Sequence, residues 1–92
     1  MQSKHQNMKN KYYLFTIEES VDGKEFIQKI TSESTNPNLS LKEIAKDWYE
    51  DDEDVEEIDG KYHFESGDIV VTPLEYQRLT KREFDILNKF GI

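Results

Sequence analysis

Three glycine-closed turns constrain this chain most: Asp22-Gly23, Asp59-Gly60 and Ser66-Gly67. Asp-Gly between β-prone runs is a strong two-residue hairpin signal, because both residues tolerate the positive φ that such turns demand. Lys11–Glu19 reads as a strand rich in β-branched and aromatic residues. With Asp22-Gly23 as the loop, Val21 pairs with Lys24 and Phe15 with Ile30. Tyr13, Phe15 and Ile17 then share a face with Phe26 and Ile30, while Thr16 and Lys29 take the other. Asp59-Gly60 pairs Ile58 with Lys61 and Val55 with Phe64, making residues 55–58 a short acidic edge strand. Ser66-Gly67 sets Phe64 opposite Ile69 and Tyr62 opposite Val71, with His63 and Val70 on the reverse face.

Between the hairpins, Thr31–Asn38 is polar and Asn36-Pro37-Asn38 marks a loop. Ser40-Leu41-Lys42-Glu43 fits a capping box. Leu41, Ile44, Ala45 and Trp48 follow as one apolar helical stripe ending near Tyr49 or Glu50. Pro73 makes its strand an edge or a bulged one. Leu74–Leu79 fits either a short helix or a strand resumed past a bulge, the strand being favoured. Thr80-Lys81-Arg82-Glu83 is a second capping box, opening a helix with Phe84, Leu87 and Phe90 inward and a stop at Gly91. The sum is an α+β domain over residues 11–92: an antiparallel sheet of four to five strands in ββαββα order, both helices packed on one face. Residues 1–10 read as a disordered N-terminal tail.

The charge is concentrated. Eight of the ten residues from Glu50 to Asp59 are carboxylates; without them 12 acidic residues balance 12 basic ones, so the net charge of -8 resides in this stretch. Packed acids at a helix C-terminus oppose its dipole and repel one another, which explains why the helix stops there. An acidic balance disfavours direct binding to nucleic acid, whose phosphates it repels, and favours a basic protein surface. The chain has no cysteine, hence no disulfide framework, thiolate metal site or cysteine nucleophile. No apolar run approaches a membrane span and no secretory signal is evident, which suits the cytoplasm.

Catalytic and metal signatures fail on inspection. An EF-hand with Gly60 at its sixth position puts Val55 first and Ser66 last, neither of which is a calcium ligand of that motif. The only other histidine is His5, in the expected disordered tail, which disfavours a two-histidine metal site at His63. No nucleophile–base arrangement and no glycine-rich phosphate loop is present. The expectation is a non-enzymatic, cofactor-free and metal-free binding protein. Glu50, Asp51, Asp52, Glu53, Asp54, Glu56, Glu57 and Asp59 supply charge and Tyr49 an aromatic contact toward a basic partner. A nucleic-acid-mimicking inhibitor of a nuclease or defence protein, of the anti-CRISPR, anti-restriction or immunity type, fits that description. The alternative is a structural or assembly subunit, such as a homodimer joined through strand edges, with the acids serving only solubility. Independently of that choice, Trp48-Tyr49 reads first as a core Trp with a half-exposed Tyr and second as an aromatic anchor beside the acids. Arg78, Lys81 and Arg82 read as a small solvated basic spot or an intramolecular counterpart to the acids.

Overall fold

The structure is a computed structural model that describes residues 10–49, 55–64 and 67–91. The expected disordered tail, apart from Asn10, lies outside those residues, as do Glu50–Asp54. Strands β1 (Lys11–Val21) and β2 (Lys24–Ser34) are followed by helix α1 (Pro37–Lys46), strands β3 (Glu56–Ile58), β4 (Lys61–Phe64) and β5 (Ile69–Leu79), and helix α2 (Lys81–Lys89). All pairings are antiparallel, in the order β2-β1-β5-β4-β3. The α+β class therefore holds, with the order ββαβββα in place of the expected ββαββα.

The turns do what their residues demand. Asp22 and Gly23 lie at φ 51° and 83°, Asp59 and Gly60 at 53° and 80°, the double positive φ of a type I′ turn. Val21 pairs with Lys24, Phe15 with Ile30 and Ile58 with Lys61, and Tyr62 and Phe64 face Val71 and Ile69, as the turns require. Two boundaries move. The polar residues Thr31–Ser34 stay in β2 because Lys11–Leu14 of β1 are there to pair with them. And α1 begins at Pro37, not after Ser40: Asn36 caps it, its Oδ1 accepting from Leu39 N at 3.2 Å, with Pro37 in the first turn where a missing N–H costs nothing. The Ser40 hydroxyl instead meets that of Ser34 at 2.6 Å, tying the helix to the end of β2.

Expecting both helices on one face was wrong, and the cause is a single residue. β5 runs through Pro73, but its register against β1 shifts between Thr16 and Ile17: Ile17 faces Pro73 whereas Thr16 faces Glu75, leaving Leu74 as the extra residue of a bulge. One inserted residue reverses the facing of everything after it. Val71 lies on the core face, yet past the bulge Tyr76 and Arg78 hold that face and Leu79 turns to the reverse one. A helix starting at Lys81 then packs on the reverse face, where Leu14, Gln77 and Leu79 face Glu83, Ile86 and Leu87 and the Tyr12 and Phe84 rings lie 4.7 Å apart. The Thr31 hydroxyl meets the Asn88 side chain there.

The main core lies on the other face, under α1. Phe15, Ile17, Phe64 and Val71 are fully buried, joined by Tyr13, Tyr62, Leu41 and Ala45, with Ile44, Trp48, Tyr49 and Val55 packed around them. The expected stripe of Leu41, Ile44, Ala45 and Trp48 is the face that α1 buries. In α2 the capping box forms as expected, Glu83 N donating to Thr80 Oγ1 at 3.1 Å and Thr80 N to Glu83 Oε1 at 2.8 Å. Phe84 and Leu87 are half-buried, but Phe90, expected inward, is 73% exposed. Phe90 is the C-cap residue, one position beyond the helix end at Lys89, while the residues that meet the sheet, Glu83, Ile86 and Leu87, lie in the turns before it.

Candidate docking surface

Of the nine residues expected to meet a partner, four are described. Tyr49 is half-buried and packs edge-on against Phe64, ring centroids 5.2 Å apart, so much of its ring belongs to the core. Glu56 and Glu57 sit on β3, opposite His63 and Tyr62, and both are exposed. Asp59 is exposed at the first position of the β3–β4 turn, a conformation that Asp tolerates better than most residues. Glu50, Asp51, Asp52, Glu53 and Asp54 fall outside the described residues.

The flanks of that five-residue stretch are fixed. Tyr49 on one side and Val55 on the other both pack against the core cluster. Beyond Val55, three β3–β4 pairs and a type I′ turn hold the chain as the edge of the sheet. Among the described residues the ion pair is Lys81–Asp85, at 2.8 Å and far along the chain from the acids. Glu56, Glu57 and Asp59 thus keep their charge directed to solvent. One effect of that charge is visible. Tyr62 is buried on the face it shares with Glu57, and its phenol is held above its ordinary value of 10.0, first by burial and then by the Glu57 carboxylate.

A feature not singled out from the sequence adds to this chemistry. Glu43 on α1 and Asp47, its C-cap residue four positions on, line an open groove of about 460 Å³ together with Ile44, Trp48, Ser32 and Ser40. Their i, i+4 spacing was the signal available beforehand. The basic spot is accounted for in part: Lys81 is engaged by Asp85, the hydrogen bond that chiefly raises its pKa.

No helix among the described residues is long and apolar enough to cross a membrane. Comparisons with protein-family models, curated proteins and solved structures find no match to this chain.

Proposed function

We propose that this is a small non-enzymatic cytoplasmic binding protein whose acidic segment docks on a basic protein surface, in the manner of a nucleic-acid mimic that occupies the phosphate-binding groove of a nuclease or defence protein. The observation that carries this reading is the double anchoring: Tyr49 and Val55, either side of Glu50–Asp54, are both packed on the core. A partner that reads charge at defined spacing gains little from a free tail, because ordering backbone costs about 1–2 kcal/mol per residue. Fixed flanks remove part of that cost. Glu56, Glu57 and Asp59 extend the anionic surface along a paired strand and its turn. Such association is fast and strongly salt-dependent.

The test is capture of a partner from lysate of the cells that make the protein, with wild type and an E50Q/D51N/E56Q/E57Q variant as baits. The expected result is a protein retained by wild type, released by salt, displaced by duplex DNA and absent from the variant. Equal retention by both baits contradicts the reading.

A further inference from the structure

The opposite edge of the sheet carries a different kind of surface. β2 is an edge strand of eleven residues, and Lys24–Lys29, its first half, is exposed except for a half-buried Gln28. Phe26 and Ile27 are 48% and 54% exposed there. Long open edges invite pairing with another strand unless something blocks it. The hairpin geometry says which groups are on offer. In a two-residue hairpin the pair flanking the turn, here Val21 and Lys24, exchanges both ladder bonds. Counting from it, Glu25, Ile27 and Lys29 turn their backbone N–H and C=O groups away from β1.

We propose that a second copy of this chain pairs with β2, antiparallel, about a two-fold axis at Ile27. Faces match only when a residue meets one of its own parity, which leaves few registers. Centring on Lys29 sets Lys29 against itself and Glu25 against Glu33, both repulsive. Centring on Gln28 sets Lys29 opposite Ile27, so no Glu25–Lys29 pair forms. Centring on Ile27 sets Glu25 opposite Lys29 twice, Ile27 opposite itself between them, Phe26 opposite Gln28 and Lys24 opposite Ile30. Opposite charges and apolar neighbours directly across strands are the pairs that stabilise a sheet. The charges that would block a random strand thus select a copy of this one.

The arrangement also manages the net charge. β2 and β3 are at opposite ends of the sheet order. Joining two sheets through β2 places the two β3 strands nine strand spacings apart, about 43 Å at roughly 4.8 Å each. That is several times the Debye length of about 8 Å at physiological salt. Across that distance Glu56 and Glu57 of one copy would not repel those of the other. The strand at the far end of each sheet is then β3, three residues long and acidic.

This inference concerns a surface separate from the acidic one and stands or falls independently of it. Sedimentation equilibrium on the whole protein tests it. Wild type is expected to be a concentration-dependent dimer. Lys29→Glu, which faces Glu25 with a like charge, is expected to weaken dimerisation about tenfold or more, and E25K/K29E to restore it. Circular dichroism of each variant verifies the fold. Because the native chain lacks cysteine, Ile27→Cys provides an independent readout: mild oxidation should link two copies through it faster than through a cysteine at position 28. A chain that stays monomeric, a dimer indifferent to Lys29→Glu, a charge swap that fails to rescue, or faster linkage through position 28 overturns the proposal.

Discussion

The two edges of this sheet solve the same problem in opposite ways. β2 is eleven residues long with both charge signs and two half-exposed apolar side chains; β3 is three residues long, two of them glutamates. An unpaired edge offers backbone groups to any passing strand, and a very short or like-charged edge withholds them. β3 is protected by brevity and charge, so what it offers is its carboxylates. β2 is protected only against sequences whose charges do not match its own. β3 also exposes an apolar side chain, Ile58 at 45%, but sets it between the carboxylates of Glu57 and Asp59.

The largest way to break this contrast is to remove what anchors the acidic side. Phe64→Ala takes a fully buried ring from beneath Tyr49. We expect a loss of about 3–5 kcal/mol in denaturant unfolding, with partner capture lost and the β1–β2 hairpin the last part to open in hydrogen exchange. Next come matched substitutions in the two turns. Gly23→Ala and Gly60→Ala meet no neighbouring atom, so each carries only the penalty of positive φ, about 1–2 kcal/mol. Eleven pairs close over Gly23 but only three over Gly60. The same penalty should therefore fray β3 locally, accelerating amide exchange at Glu56–Ile58, while β2 exchange changes little.

Helix caps give a smaller effect. Asn36→Ala should cost about 1 kcal/mol in thermal or denaturant unfolding, more than Ser40→Ala at the cap that sequence alone suggested. Equal losses would count against the placement of the helix start. The smallest effect is a pH dependence. Folding raises the Tyr62 pKa above 10.0, so the fold favours the neutral phenol. That contribution is complete below pH 10 and is lost as pH rises through the folded-state value. Glu57→Gln removes the second of the two causes and should lessen the alkaline loss of stability, leaving the part due to burial.

Local rules were legible wherever a short segment decided the outcome. Asp22-Gly23 and Asp59-Gly60 dictated register because two-residue turns leave no slack, and Thr80 with Glu83 formed its box because both partners lie within one turn. The errors arose where a partner distant in sequence decided. Thr31–Ser34 looked like loop until Lys11–Leu14 was there to pair with it. Pro73 signalled a bulge, but not that the extra residue would turn Leu79 to the reverse face and carry α2 with it. Asn36 read as part of a loop and Ser40 as the cap, yet Asn36 caps the helix and the hydroxyl of Ser34 engages Ser40. Of the candidate surface, the placement of Glu56, Glu57 and Asp59 on a hairpin edge was readable. The packing of Tyr49 on Phe64 was not, since it depends on how α1 lies across the sheet. The open half of β2 escaped notice because edge status is a property of the whole topology.

The central claim is that carboxylates held at one edge, with fixed flanks, are what another protein recognises. Quantitative capture with wild type and E50Q/D51N/E56Q/E57Q, across a salt series from low to high, tests it most directly. Wild type should retain a partner whose yield falls steeply with salt, and the variant should lose it at every salt while keeping its unfolding midpoint. The same proteins at the same yield from both baits would contradict it.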